Sequence, residues 1–392
     1  MKEWKTYRLG DLIKISSGFP YKGEYIGRGE NYILGMGCVS FKETFLHSGL
    51  RAYSDEAPDR YIAKPGEIVL ATRQQSDNLP ILGMPAIIPH IYEGRKMIIG
   101  ANLYKVLNES NFTNEYIYWL MKSPAYIHHI KSCQTGTTVR MITKANIEDF
   151  TFKAPEEHER KRISDFLWNL EKKIEINRQI NDNLEQQAQA LYKSWFVDFE
   201  PFKDGEFVES EFGSIPKGWK TGSISDISKI SSGKRPAKKC DKKNNIHNIP
   251  VYGASGIMAY TNDVLHDSPL LLIGRVGTLG VIQRVNRKSW PSDNTLIILT
   301  QFYNYIYFIL QGVDYSAINR GSTQPLITQT DINQEGIVIP SLDVLEQFED
   351  RCNSLYKMIA MHKDENIILE TIRDTLLPKL MSGELKINEI DC

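Results

Sequence analysis

The sequence predicts an α+β protein: two mixed α/β domains separated by a pair of long antiparallel coiled-coil helices, with an internal pseudo-two-fold repeat. The first observation behind this is recurrence. Trp4-Lys5-Thr6 returns as Trp219-Lys220-Thr221, and Lys14-Ile15-Ser16-Ser17-Gly18 returns as Lys229-Ile230-Ser231-Ser232-Gly233, at one constant offset. Tyr116-Ile117-Tyr118-Trp119 is answered by Tyr305-Ile306-Tyr307-Phe308 at a smaller offset, so the second copy is the shorter one. The second observation is that each copy opens with short β-type runs broken by Gly, Pro and Asn. The third is that each copy closes on a long stretch of heptad apolar spacing. A chain built of two similar units suits a partner that also comes in two halves.

Taken in order, residues 1–154 form the first domain. Runs such as Glu67-Ile68-Val69-Leu70 read as strands, and the aromatic stretch around 114–122 reads as a helix. Residues 155–198 form the first long helix. Its apolar positions step alternately by four and three: Ile163, Leu167, Leu170, Ile174, then Leu184, Ala188, Leu191 and Trp195, with Asn177 and Asn181 filling the gap. Residues 199–218, rich in acid, Gly and Pro, read as a linker. Residues 219–340 repeat the domain pattern, with Leu271-Leu272-Ile273 as a strand and a helix around 302–311. Residues 341–392 repeat the long helix and add a tail. The seam there runs Phe348, Cys352, Leu355, Ile359, then His362 and Asn366, then Leu369, Arg373, Leu376 and Leu380.

The polar break recurs at the same place in both helices. A lone surface helix has little reason to repeat it, whereas buried polar residues in a coiled-coil seam fix register at a cost in stability. A two-fold relating the copies makes the pair antiparallel, with Asn177 beside Asn366 and Asn181 beside His362. About forty residues at ~1.5 Å each make a rod on the order of 55–60 Å long.

Composition narrows the function classes. With 392 residues the chain needs more than one core, and 41% apolar with 24% charged residues is ordinary for a globular protein. No 18-residue apolar run and no secretory segment are seen, so a cytoplasmic protein without a membrane partner is expected. The five cysteines form no C-x-x-C pair, which fits reduced thiols. Net charge of −1 neither demands nor forbids nucleic acid, but Lys234, Arg235, Lys238, Lys239, Lys242 and Lys243 are concentrated in one stretch. Phosphate contact and a solvated loop are the two readings of that stretch.

No phosphate loop, nucleophile elbow or H-E-x-x-H is present, and the eight histidines are scattered. Gly274-Arg275-Val276-Gly277-Thr278-Leu279-Gly280 has the wrong spacing for a cofactor cradle and reads as a strand and turn. No catalytic residue, metal site or cofactor is expected in this chain, which reads as a binding and positioning protein. If the partner is a nucleic acid, the candidate contacts lie where polar side chains follow β-type runs. Arg73, Gln74, Gln75 and Arg275 suit base edges or surface ion pairs. Asn102 and Asn294 occupy matching places, as adenine readers or structural turns. Thr137, Thr138 and Arg140 match the loop Arg320-Gly321-Ser322-Thr323-Gln324, from which Arg320, Ser322, Thr323 and Gln324 are candidates. Lys234, Arg235, Lys238 and Lys239 are the phosphate candidates. Ser17-Gly18 and Ser232-Gly233 read as turns after the first strand. Asn177, Asn181, His362 and Asn366 are the candidates for helix register.

The order of domain, long helix, domain, long helix resembles the specificity (S) subunit of type I restriction-modification systems. Three segments carry the resemblance. The first runs from Pro155 through Lys161-Arg162-Ile163 to Ala190-Leu191-Tyr192-Lys193-Ser194-Trp195-Phe196-Val197-Asp198-Phe199-Glu200-Pro201-Phe202. The others are Ile215-Pro216-Lys217-Gly218-Trp219 and Leu376-Leu377-Pro378-Lys379-Leu380-Met381-Ser382-Gly383-Glu384. The resemblance covers essentially the whole chain, though in the two domains it is architectural only. It implies a non-catalytic subunit that binds double-stranded DNA. Each target-recognition domain would read half of a bipartite site, and the helices would set the unread spacer and dock two modification (M) subunits. Those would methylate adenine N6 with S-adenosylmethionine, and two restriction (R) subunits would add ATP- and Mg-dependent translocation and cleavage. The competing readings are a stand-alone DNA methyltransferase or nuclease with fused recognition domains, and a structural coiled-coil adaptor.

Overall fold

The structure, a computed structural model, describes residues 4–75, 80–321 and 325–390. It divides into two compact units, residues 1–178 with 363–392 and residues 179–362. The division cuts through both long helices and so differs from the linear boundaries that the repeat suggests. The reason lies in the core of each unit, which takes one end of each helix.

In the first unit, a four-stranded sheet orders Ile13–Ser17, Leu103–Asn108, Ile68–Ala71 and Pro85–Ile87, all antiparallel. Ile68–Ala71 is buried at every position, as its unbroken apolar run requires of a central strand. A second sheet orders Arg51–Tyr53, Ile26–Leu34, Met97–Ile99 and Ile62–Ala63, and its middle pair is parallel. Strand Lys5–Arg8 pairs with Thr151–Ala154 beside the first long helix. Helix Asn114–Lys122 starts at Thr113, whose hydroxyl accepts Tyr116 N–H, and buries Tyr116 to Lys122. Onto this core pack Ile163 and Leu167 from one long helix and Leu377, Leu380 and Met381 from the other.

The second unit repeats the plan. Its sheet orders Lys229–Ser232, Thr295–Leu299, Leu270–Gly274 and Ile282–Val285, and a three-stranded sheet again holds one parallel pair, Ile249–Gly253 with Trp290–Pro291. Lys220–Ser223 pairs with Gly336–Ile339. The first domain's helix Pro124–Cys133 has no described counterpart here, and its strand pair Arg73–Gln74 with Arg140–Met141 is reduced to a single antiparallel bridge between Val276 and Leu326. Ala188 and Trp195 of the first long helix, and Leu345, Phe348 and Cys352 of the second, close the core. Phe348 is fully buried, with ring centroids 4.8 Å from Phe196 and 6.1 Å from Trp195.

The long helices run Glu157–Phe196 and Leu342–Ser382. Within residues 199–218, expected as a linker, Phe207–Ser210 pairs with Gly213–Pro216 as a hairpin. Phe199 adopts a left-handed φ of 52° to end the helix, and its ring packs 5.6 Å from Trp219 and 6.0 Å from Phe207. Gly213 and Gly218, at φ +91° and +93°, supply the turns that mimic linker composition. No helix among the described residues is long and apolar enough to cross a membrane.

Candidate nucleic-acid interface

Both domains are tied by the same backbone knot. Gly18 N–H donates to the Leu103 carbonyl at 3.0 Å, and Gly233 N–H to that of Thr295 at 3.0 Å. Gly100 N–H donates to Leu34 and Ser292 N–H to Tyr252, each at 2.9 Å. A Cβ on Gly18 would stand 2.1 Å from the Gly100 carbonyl oxygen, and one on Gly233 2.0 Å from that of Ser292. The repeated Ser-Gly therefore marks a close backbone approach rather than the turn expected from sequence.

The knot places the matched asparagines. Asn102 carbonyl accepts Thr72 N–H at 3.1 Å, and Asn294 carbonyl accepts Arg275 N–H at 2.9 Å. The carbonyls of Thr72 and Arg275 then accept Ile142 and Ile327 N–H at 3.2 and 3.0 Å. The backbones of Asn102 and Asn294 are thus structural, while neither side-chain amide has a hydrogen-bond partner among the described residues. Asn102 is half-buried at a cleft of about 420 Å³ lined also by Tyr21, Leu34, Gly35, Gly37 and Arg51. Asn294 is exposed.

Around this knot the first-domain candidates gather. Strand Arg73–Gln74 pairs with Arg140–Met141, Thr135 and Met141 exchange backbone bonds, and Thr137 and Thr138 stand exposed on the loop between. Arg73 and Gln75 are exposed, but Gln74 is 6% exposed and its side-chain oxygen accepts Leu82 N–H at 3.3 Å. Strand alternation turns Gln74 inward, which removes it from the candidate surface.

The second domain differs in chemistry. Lys234, Arg235, Lys238, Lys239, Lys242 and Lys243 are all exposed, and Arg235 pairs with Asp293 at 3.1 Å. The matching stretch after Gly18 is aromatic instead: Phe19 lies 5.3 Å from Tyr61, and Tyr25 lies 6.0 Å from Tyr53. Arg275 is half-buried, reaches Ser232 Oγ at 3.5 Å, and has a buried Nε without a partner. Arg320 Nε donates to Asp331 at 2.8 Å, so it is engaged in holding the helix start at Thr328. Ser322, Thr323 and Gln324 lie outside the described residues. The glycine loop is a strand and turn, with Gly277 N–H donating to Pro325 at 3.0 Å.

In the helix seam, Asn177 Nδ2 donates to Asn366 Oδ1 at 2.8 Å and to Glu365 at 2.7 Å, and Asn366 Nδ2 donates to the Ile174 carbonyl at 3.2 Å. Asn181 Oδ1 and His362 Nδ1 lie 3.0 Å apart in the other unit. These pairings are antiparallel. Heptad spacing gave no sign of Glu171, which pairs with seam residue Arg373 at 2.6 Å with both side chains buried. Burial raises the Glu171 carboxyl above its ordinary range against the pull of Arg373. Nor did it mark Lys122, whose Nζ donates to the Ser40 and Phe41 carbonyls at 2.6 and 2.9 Å. Burial brings that lysine down to about 7.

Two recognition-sized domains carrying the same knot, joined to an antiparallel helical pair, define a doubled recognition module. The chain belongs to the family of type I restriction modification DNA specificity domains, which matches residues 1–186 and 216–371. It is therefore a DNA-recognition component of a type I restriction-modification system. It is 25% identical to the type I restriction enzyme MjaIX specificity subunit of Methanocaldococcus jannaschii over 99% of this chain and 95% of that one. It is 23% identical to the HindI specificity subunit of Haemophilus influenzae over 98% and 100%. The S subunit from M. genitalium shares the fold, with a TM-score of 0.63, 14% identity, and 97% and 96% of the two chains covered.

Proposed function

We propose that each domain reads one half of a bipartite duplex site, and that the helical pair sets the unread spacer. The observation that carries this reading is the backbone knot built twice, each copy presenting an asparagine amide and neighbouring polar loops. The exposed lysines of the second domain supply phosphate contact there, and the first domain leans on Arg73, Arg140 and the Asn102 cleft.

Two modification subunits dock on the long helices, methylating adenine N6 with S-adenosylmethionine in the cytoplasm. Two restriction subunits add ATP- and Mg-dependent cleavage. The support for helical docking is an exposed aliphatic stripe beside the seam: Met358, Met361, Ile368 and Ile372 step by heptad spacing on the second long helix. Such a stripe is costly to leave in water.

Light scattering on the chain titrated with modification subunit tests the assembly. One chain should take up two subunits and only then shift a specific duplex in a gel. A complex that saturates with a single modification subunit contradicts the reading.

A further inference from the structure

Helix Tyr303–Gly312 begins without a cap of its own. Phe302 stands at its N-cap and offers no side-chain hydrogen bond, whereas the matching first-domain helix is capped locally by Thr113. The missing acceptor comes from the second long helix. The Glu349 carboxylate accepts Asn304 N–H at 2.9 Å to Oε1 and 3.0 Å to Oε2, and Tyr305 N–H at 2.9 Å. The fully buried Asn304 amide donates to Glu349 Oε2 at 2.6 Å and to Asn353 Oδ1 at 2.8 Å.

Asn304 Oδ1 in turn accepts from Arg284 Nη2 at 2.5 Å. The Arg284 guanidinium lies 3.4 Å from the Tyr356 ring centroid, 4.6 Å from that of Tyr307 and 4.7 Å from that of Tyr303. Sheet, domain helix and long helix are thus joined at one point. Apolar packing is non-directional and tolerates sliding or rotation. Hydrogen bonds to a buried carboxylate at a helix N-terminus are directional and fix an angle.

We propose that Glu349, acting through Asn304 and Arg284, is a positioning residue. It fixes the angle of the second recognition domain on the long helix, and through it the length of unread spacer that the subunit accepts. The proposal rests on the bipartite reading above. The test uses the complex with modification subunits and a set of duplexes with both half-sites constant and the spacer varied by one base pair either way.

Wild type should methylate one spacer. In Glu349→Ala the ratio of neighbouring to original spacer should rise at least about tenfold, with the half-site bases unchanged. Glu349→Gln keeps one accepting oxygen for the backbone N–H groups but turns an NH2 toward the Asn304 amide donor, so its ratio should fall between those of wild type and Glu349→Ala. A residue that only stabilises the domain would lower methylation equally at every spacer. An unchanged ratio in an assembled Glu349→Ala complex therefore overturns the proposal. If that variant does not assemble, Arg284→Met leaves the cap intact, removes the tie to Asn304, and decides by the same ratio. Wild type failing to methylate any two-part site would overturn the bipartite reading itself, separately from any variant.

Discussion

Lys122 shows how one buried side chain ties stability to pH. The residue is 8% exposed and its charge interacts with Arg373, Glu171, Glu43 and Asp374, with burial as the largest influence on its pKa. A lysine held down to about 7 when folded and titrating near 10.5 when unfolded binds fewer protons in the folded state between those values. Stability contributed at this residue therefore rises with pH from about 7 to about 10.5 and is flat below. The neutral amine keeps two N–H groups and can still serve both carbonyls. Lys122→Met should flatten the rise, which is at most about 1.4 kcal/mol per pH unit. Denaturant titrations across that window check this, and an unaltered slope would contradict it. Gln74 carries the opposite lesson at the same scale. It stood among the candidates because its residue type suits base edges, yet alternation along Arg73-Gln74-Gln75 was enough to turn it inward.

At the level of elements, the long helices were legible because their spacing repeats twice and the polar gap repeats with it. The borrowed cap at Asn304 was not, since a helix start at Phe302 looks merely uncapped until an acid from a distant element reaches it. The hairpin at 207–216 was hidden for a different reason: the glycines that end a strand pair are those that enrich a linker. The seam pair Asn177 and Asn366 yields a double-mutant test. Asn366→Leu alone leaves a fully buried Asn177 with one amide partner fewer, a cost of about 1–3 kcal/mol. Adding Asn177→Leu removes the stranded amide, whose oxygen already lacks a partner, and should recover most of that cost or exceed it. Thermal unfolding of the three variants decides, and a double no more stable than the single would show that the pair is not a buried polar register mark.

For the whole molecule, the repeat foretold two domains on paired helices but not that each compact unit would take an end of both. That depends on which apolar faces meet, and the linear order of segments does not carry it. The ruler reading is tested by inserting one heptad after Asn181 and another before His362, opposite each other, so that both polar pairs survive. The insertion adds about 10 Å, on the order of three base pairs, and about 100° of duplex rotation. Methylation of the original site should fall to background and return only with a spacer restoring distance and phase. Methylation at the original rate would show that the helices do not set the spacing. Replacing residues 1–150 with another recognition domain should change one half-site alone in the methylated sequence, because the two cores share no residue.

The sharing of helix ends also sets a timetable for the ribosome. The second unit is continuous and has all its residues once His362 is made, while the first awaits residues 363–392. The domain that emerges first is thus the last to be completed. At about 5–20 residues per second it waits on the order of ten seconds or more. During that interval Ile163 and Leu167 lack the cover that Leu377, Leu380 and Met381 later give.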